Sequence, residues 1–318
     1  MERTENSETQ STMTVGRKPN GKSRLKVKSS SFLKHPPVLK QYAALWTLSH
    51  QPSQSKEWST EEKVIQAKKA GFDALGGFAF RGAPAEIYPL CQKHGLDYIY
   101  YTDANQQTYR EKLEVLKGIK PARINVQFAD HDTLPKKAVA GWLKMDALAE
   151  KMGLDMDLEV HRDTCTETPE KTYEIADLYK KATGKMLRFC WDFSHIAVVK
   201  HISHPYAERL LERPELIQLA RQFHFRPFNG HHCQVPATDG KGQETADFKI
   251  YLQFVDAIIA CWMKGARGGE VVYACPEFGP IGVNGYGLSS FPNVWKDAIY
   301  MRAKTNELWE ANLRRFGE

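Results

Sequence analysis

Short apolar runs alternate with longer amphipathic stretches along most of the chain, and this alternation restricts the fold more than any other feature. From about residue 40 the pattern repeats eight times. It is typical of strand–helix units around a parallel sheet, because parallel strands need crossover connections that are usually helical. Eight such units close naturally into a barrel, with the loops after the strands gathered at one mouth.

The sequence therefore predicts an α/β fold, a single (β/α)8 TIM barrel. The predicted strands span residues 42–47, 72–76, 96–102, 122–128, 154–160, 186–191, 222–227 and 270–275. The predicted helices span residues 60–70, 85–94, 107–116, 135–152, 169–183, 214–221 and 248–263. A doubly wound open sheet is the alternative, but no Gly-rich phosphate loop follows the first strand as that fold would usually supply.

The N-terminal segment differs in composition from the rest. The chain has 318 residues and a formal net charge of +6, and much of the positive excess precedes residue 41. Ser, Thr, Asn and Lys dominate this segment, so it cannot bury enough apolar surface to order itself. We expect residues 1–36 to form a disordered basic tail and residues 37–318 to form the catalytic barrel. A targeting role fits poorly with Glu2, Glu5 and Glu8.

The cellular setting follows from what the sequence lacks. No run approaches the roughly 18 to 20 apolar residues of a membrane span, and the N-terminus has no apolar signal segment. The six cysteines include no C-x-x-C pair, and a chain of this size has no need of disulfide staples. We expect a reducing, cytoplasmic protein with no membrane partner.

Ionisable residues follow the later predicted strands, where a barrel places its active site. They are Glu159, His161, Arg162, Asp192, His195, His224, Arg226 and Glu277. Three carboxylates in a partly desolvated mouth repel one another, and a divalent cation resolves that repulsion. Oxygen-rich ligation with one imidazole suits Mn²⁺, Mg²⁺ or Co²⁺ better than Zn²⁺, which stays an alternative.

Three histidines are candidates for the imidazole ligand of this set. His231 and His232 compete with His224 for it. We favour His224 because it ends an apolar run, whereas Asn229-Gly230 marks a turn just before the other two.

Four segments at these strand ends resemble the xylose-isomerase-like TIM barrel family, which includes sugar phosphate isomerases and epimerases. They are residues 158–164, 191–195, 223–226 and 276–280, and the resemblance covers most of residues 38–318. The Asp-x-x-His step from Asp192 to His195 is the most specific part. The resemblance implies one divalent metal ion held by Glu159, Asp192, His224 and Glu277, and substrate contact by His195.

The resemblance also implies a sugar isomerase or epimerase that abstracts a proton beside a carbonyl and stabilises an enediolate with its metal ion. Glu159, Glu277 or His161 could act as the base. A second Glu that sugar epimerases often carry six residues after the first is Cys165 here, so a lyase with the same first step stays open. We interpret Cys165 as a packing residue rather than a nucleophile.

A small sugar or polyol is the expected partner. We place Arg226, Arg162, His231 and Trp46 beside it, since an aromatic face packs on a sugar ring and a guanidinium holds its oxygens. Trp191 and Phe80 are more typical of core.

Two other classes compete with this reading. The basic tail mildly favours a metal-dependent phosphodiesterase of the endonuclease IV kind, but the first four strand ends offer few histidines, so a nucleic-acid partner is not expected. A non-catalytic binding protein is the third class, because a fold alone implies no activity. The sequence does not determine the oligomeric state, and a homo-oligomer is possible.

Overall fold

The predicted barrel is present in the computed structural model, which describes residues 34–78, 82–282, 286–288 and 290–317. All neighbouring barrel strands are parallel. The strands are β1 Val38–Ala44, β2 Ala74–Phe78, β3 Asp97–Ala104, β4 Arg123–Phe128, β5 Met156–Val160, β6 Phe189–Asp192, β7 Gln222–His224 and β8 Val271–Cys275. Because β1 pairs with both β8 and β2, the sheet is closed, which excludes the open doubly wound alternative.

Helices follow the strands along the chain. Among the described residues they are α1 Thr60–Lys69, α2 Pro84–Lys93, α3 Tyr109–Glu114, α4 Pro135–Met152, α5 Pro169–Thr183, α6 Phe193–Val199, α7 Ala207–Leu210, α8 Pro214–Ile217, α9 Ala246–Gly265 and α10 Val294–Gly317. Helix α1 begins with the predicted capping box, in which Ser59 and Glu62 each accept a hydrogen bond from the other's amide. None of the described helices combines the length and apolar character of a bilayer span.

Several predicted boundaries were wrong. Strand β7 ends at His224 rather than at residue 227, and the helix predicted over residues 214–221 is the single turn α8. Helices α6 and α10 were not predicted. The start of α6 could not be recognised, because its apolar residues directly continue those of β6. Helix α10 could have been predicted, because its buried residues recur at helical spacing.

The predicted tail lies almost wholly outside the described residues, which begin at residue 34. Its last part contacts the barrel, since the His35 carbonyl accepts a hydrogen bond from the Gly269 amide at 2.7 Å. The boundary between tail and barrel therefore stays a prediction.

The interior of the barrel is unusually polar because inward positions of the strands carry polar side chains. In β4 the buried Arg123 and Asn125 alternate with Ile124 and Val126, which belong to the apolar core. Strand β5 repeats this arrangement, with buried acids at alternate positions. Side chains two residues apart share a face of a strand, so these polar residues line the inside of the barrel at successive heights.

The N-terminal end of the barrel is closed by paired charges, which we call the basal layer. Its charged members are Lys40, Asp97, Arg123, Asp155, Asp157 and Arg188. Arg123 Nε donates to Asp157 Oδ2 at 2.9 Å, and Gln222 donates to the same oxygen at 2.7 Å. Lys40 pairs with Asp97 at 2.5 Å. Each carboxylate here thus has a cation of the chain as its partner.

Candidate metal centre

Four side chains converge at the C-terminal ends of neighbouring strands, and we call them the acidic group. Glu159 lies in β5, Asp192 and His224 end β6 and β7, and Glu277 follows β8. One potential ligand atom of each residue lies within 4.8 Å of the others, and all four side chains are buried. The structure thus brings together the four residues predicted to hold a metal ion.

The atoms that face the centre of the acidic group have no hydrogen-bond partner. His224 Nδ1 lies 3.1 Å from Glu159 Oε1 and 2.8 Å from Glu277 Oε2, yet no hydrogen bond forms. Asp192 Oδ2 and Glu277 Oε2 are likewise buried and accept no hydrogen bond, although both lie near Arg226. Buried polar atoms without a partner are costly, so lone pairs that converge in this way fit a cation.

The net charge of the site also favours a bound cation. Three buried carboxylates face one guanidinium, that of Arg226, whose Nη2 lies 3.3 Å from Asp192 Oδ2 and 2.9 Å from Glu277 Oε2. With neutral histidines, the carboxylates outnumber the guanidinium by two, which equals the charge of a divalent ion. The residues present therefore fit Mn²⁺, Mg²⁺ or Co²⁺ in both donor type and charge.

In the absence of an ion, protons balance part of this charge. Burial lowers the pKa of His224, but its anionic surroundings, including Glu277, raise it well above its usual value. Burial also lowers the pKa of His195, yet Asp192 raises it to about 9. Burial raises the pKa of Glu159, and His224 brings it down to about 2. A proton and a divalent cation therefore compete for the same place.

Two tyrosine hydroxyls determine which nitrogen of His224 faces the acids. Tyr101 donates to the Tyr42 hydroxyl at 3.0 Å and lies 3.2 Å from His224 Nε2. Because its proton is directed to Tyr42, the Tyr101 oxygen accepts from His224 Nε2–H. The Nδ1 lone pair then points into the acidic group, which is the tautomer that a metal ion requires.

Two carboxylates of the acidic group are each held in place through one of their two oxygens. Glu159 Oε2 accepts from Asn125 Nδ2 at 2.8 Å, and its Oε1 faces His224. Asp192 caps helix α6: its Oδ1 accepts from the Ser194 amide at 3.0 Å and from the Ser194 hydroxyl at 2.6 Å. The other oxygen of Asp192 stays free for an ion.

Sequence reasoning missed this supporting layer, which consists of Tyr42, Tyr101, Asn125 and Ser194. A signal existed for Asn125, since polar residues at alternate positions of an apolar strand indicate an inward polar face. No comparable signal exists for the tyrosines, because an inward tyrosine and a core tyrosine look alike in a sequence.

His195 and Arg226 lie directly against the acidic group. His195 is fully buried, and its Nε2 lies 3.2 Å from Arg226 Nη1 and 3.3 Å from Asp192 Oδ2. The Arg226 guanidinium lies over two aromatic rings, 5.4 Å from the centroid of Trp46 and 4.5 Å from that of Tyr286. Three predicted substrate contacts, His195, Arg226 and Trp46, thus lie together beside the acidic group.

His161 and Arg162 border a polar cavity next to this assembly. The cavity measures about 200 Å³ and is also lined by Asp103, Asn105 and Gln127. The His161 ring lies 3.9 Å from that of His195, centroid to centroid, so the cavity adjoins the site. Burial and the neighbouring His195 lower the pKa of His161 to about 3. His161 is therefore neutral at neutral pH.

The remaining candidates lie elsewhere. His231 and His232 are exposed, and the His231 ring lies 6.0 Å from that of His201 rather than against the acidic group. Phe80 lies outside the described residues.

Cys165 and Trp191 behave as packing residues. Both are buried in the apolar core, and burial raises the pKa of Cys165 to about 12, so it is no nucleophile.

No protein-family model matches the sequence, and the comparison with curated proteins found no match. Solved structures do match. A D-allulose 3-epimerase from Methylomonas sp., in complex with D-allulose, has 15% identity and a TM-score of 0.54, with 87% of this chain and 98% of that chain covered. A xylose isomerase-like TIM barrel protein from Mycobacterium smegmatis, in complex with magnesium, has 12% identity and a TM-score of 0.52, with coverages of 85% and 97%.

A third structure, a 3-keto-D-glucoside 4-epimerase from E. coli, has 15% identity and a TM-score of 0.50, with coverages of 87% and 100%. At such identities the likeness establishes a shared fold. The fold resemblance inferred from the sequence, to xylose isomerase-like TIM barrels and sugar epimerases, is thereby confirmed.

Proposed function

We propose that this protein is a divalent-metal-dependent isomerase or epimerase that acts on a sugar or sugar-like polyol by proton abstraction beside a carbonyl. The observation that carries the proposal is the acidic group, whose unpartnered lone pairs and excess of two negative charges call for a cation. When bound, a divalent ion would supply a Lewis acid that stabilises negative charge on the substrate oxygen.

The substrate class is supported by the surroundings of this group. Arg226, Trp46 and Tyr286 offer a guanidinium and two aromatic rings beside it, which suits the hydroxyl groups and the C–H face of a sugar. The polar cavity at His161 provides room for further hydroxyl groups. Two of the structural neighbours are sugar epimerases by name, in agreement with this choice.

We assign the proton abstraction to Glu277. Its side chain is the most exposed of the acidic group, at 7%, and therefore the nearest to an incoming substrate. Glu159 is held through Oε2 by Asn125 at 2.8 Å, and its side chain is less exposed, at 2%. His161 uses Nδ1–H toward the Arg162 carbonyl at 2.5 Å, and its lowered pKa makes it a weak base.

His195 and Arg226 orient the substrate in this scheme. Arg226 is already paired with Asp192 and Glu277, so it holds the base in place. Its Nε has no acceptor in the structure and is available to a substrate oxygen. The aromatic rings around it exclude water and strengthen these charge interactions.

A lyase that begins with the same proton abstraction is the nearest alternative. The phosphodiesterase alternative has less support, because the one group of metal-binding type in the described residues has four members and a single histidine, whereas a site for several ions requires a larger cluster of histidines and acids.

Solvent exchange tests the proposal. In deuterated water with Mn²⁺, the enzyme should introduce deuterium at the carbon beside the carbonyl of a keto-sugar, and EDTA should stop the exchange. Glu277→Gln should abolish it if Glu277 is the base, whereas His161→Asn should retain most of it. The reverse order would make His161 the base. Metal-dependent cleavage of abasic DNA without any exchange would overturn the proposal.

A further inference from the structure

Cys233 differs from the other five cysteines of the chain, all of which lie in the described residues. Those five are buried, whereas Cys233 is partly exposed. It lies in the segment after β7. Part of this residue is in contact with solvent, which favours reaction with a small reagent such as hydrogen peroxide over reaction of the other five cysteines.

The Cys233 thiol belongs to a cluster with three buried polar side chains. Its Sγ lies 3.3 Å from Ser194 Oγ, 3.4 Å from Arg226 Nη1 and 3.7 Å from His195 Nδ1. Those three side chains are 1%, 2% and 0% exposed, respectively. The Arg226 Nε donor beside them is buried without a partner, so the cluster has a donor available to a new oxygen.

These neighbours favour a thiolate, whatever the protonation of His195. When His195 is neutral, its Nε2 accepts from Arg226 Nη1, so its proton is on Nδ1 and is directed at Sγ. When His195 is protonated, Nδ1–H is present as well. Burial raises the pKa of Cys233, but His195 and Arg226 lower it to about 7.

The same three neighbours hold the predicted metal ligands. Ser194 donates to Asp192 Oδ1, His195 lies 3.3 Å from Asp192 Oδ2, and Arg226 pairs with both Asp192 and Glu277. An added oxygen on Sγ would draw these donors away from the carboxylates. Changes in the partners of metal ligands typically alter metal affinity by about 10- to 100-fold.

We propose that Cys233 is a thiol oxidation site whose reaction with a peroxide weakens metal binding at the acidic group. The thiolate attacks one peroxide oxygen, the S–O bond forms and the O–O bond breaks. Hydroxide leaves and takes a proton from solvent, so that sulfur is oxidised to a sulfenic acid and the peroxide is reduced to water. The site is independent of the reaction that the enzyme catalyses.

Labelling tests the first half of this proposal. The full-length, metal-free protein is treated with hydrogen peroxide and then with dimedone, which traps sulfenic acids, and its peptides are analysed by mass spectrometry. The adduct should form on Cys233 and not on the five buried cysteines. Cys233→Ser should remove the adduct. The control Cys261→Ser should retain it; Cys261 is chosen because, at 7%, it is the most exposed of the five buried cysteines. Adducts on another cysteine overturn the proposal.

Calorimetric titration with Mn²⁺ tests the second half. Peroxide treatment should raise the Kd of the wild type by about tenfold or more, and reduction with dithiothreitol should restore it. Cys233→Ser should bind Mn²⁺ before and after peroxide with the same Kd. An unchanged wild-type Kd after complete sulfenic acid formation, or an equal loss in Cys233→Ser, overturns the coupling.

Neither readout involves catalysis, so a failed sugar assay leaves this result unaffected. Untreated protein that binds no Mn²⁺ contradicts the metal centre itself and the proposal with it. If Cys233→Ser does not fold, Cys233→Ala takes its place in both experiments, and labelling of the wild type still identifies the cysteine that is oxidised.

Discussion

The two ends of the barrel contain similar side chains in opposite states of pairing. In the basal layer, Asp155 and Asp157 are held by Arg123 and Arg188, and Asp97 is held by Lys40. At the mouth, Asp192 and Glu277 share Arg226 and keep buried lone pairs without a hydrogen bond. Buried acids occur at both ends, Asp157 in the basal layer and three at the mouth, but the basal layer supplies its own counter-charges and the mouth leaves a place for an ion.

The difference gives a practical way to separate structural acids from ligand acids. A buried acid that is fully paired contributes to the stability of the fold only while its partner is present. Loss of one member of the pair leaves an uncompensated buried charge. An acid of the acidic group has Arg226 and protonated histidines as counter-charges in the metal-free protein, and a cation replaces the protons when it binds. Mutations at the mouth should therefore mainly affect metal binding, and mutations in the basal layer should mainly affect stability.

The largest effect is expected at the mouth. Asp192→Asn should abolish metal-dependent deuterium exchange and Mn²⁺ binding, because it removes a ligand charge, while the metal-free protein should stay folded, because Asn keeps the Oδ1 acceptor that caps α6. Activity assays, calorimetric titration and thermal unfolding in EDTA measure these three quantities. Loss of folded protein would make Asp192 a structural acid instead.

The opposite pattern is expected for Asp157→Asn in the basal layer. Asp157 accepts from Arg123 and Gln222 and is fully buried, so the change leaves a buried guanidinium poorly paired. We expect the free energy of unfolding to fall by about 3–5 kcal/mol, as measured by urea denaturation, with the Mn²⁺ affinity of the folded fraction retained. Weakened Mn²⁺ binding at unchanged stability would refute the distinction between the two ends.

Tyr101→Phe tests the hydroxyl that orients His224 at the mouth. It removes the acceptor for His224 Nε2–H and leaves the ring in place, so the Nδ1 tautomer is no longer favoured. Metal affinity should fall by about 10- to 100-fold while the folded state persists. Tyr98→Phe is the matched control, because the Tyr98 hydroxyl is buried without a hydrogen-bond partner. Equal Kd values for the two variants would contradict this role.

The smallest effect concerns pH. The raised pKa values of His224 and His195, the latter about 9, mean that the metal-free folded protein binds more protons than the unfolded chain between about pH 6.5 and 9. Its stability should therefore decline as pH rises through this range. Mn²⁺ displaces protons, so stabilisation by Mn²⁺ should grow over the same range. Unfolding temperatures in EDTA that rise from pH 6.5 to 9 would be inconsistent with this assignment.

Periodicity was sufficient to predict the barrel, and polar residues at strand ends supplied eight candidates for the site. The family resemblance then selected from them the four residues that the structure brings together. The sequence was insufficient where residues distant in sequence meet inside the barrel. The contact of Tyr101 with His224 depends on strand register across the barrel, and that of Cys233 with His195 on the course of the segment after β7. Neither leaves a local pattern in the residues concerned.

The capping role of Asp192 affects how fast an ion can be captured. One carboxylate oxygen of Asp192 is already fixed by the first turn of α6, so the other is aimed before any cation arrives. Association then requires no local folding, and its rate is set by how quickly the cation sheds water. Mg²⁺ releases water reluctantly, so the protein should load Mn²⁺ sooner than Mg²⁺ from a mixture of both, even where the two ions would occupy the centre equally at equilibrium.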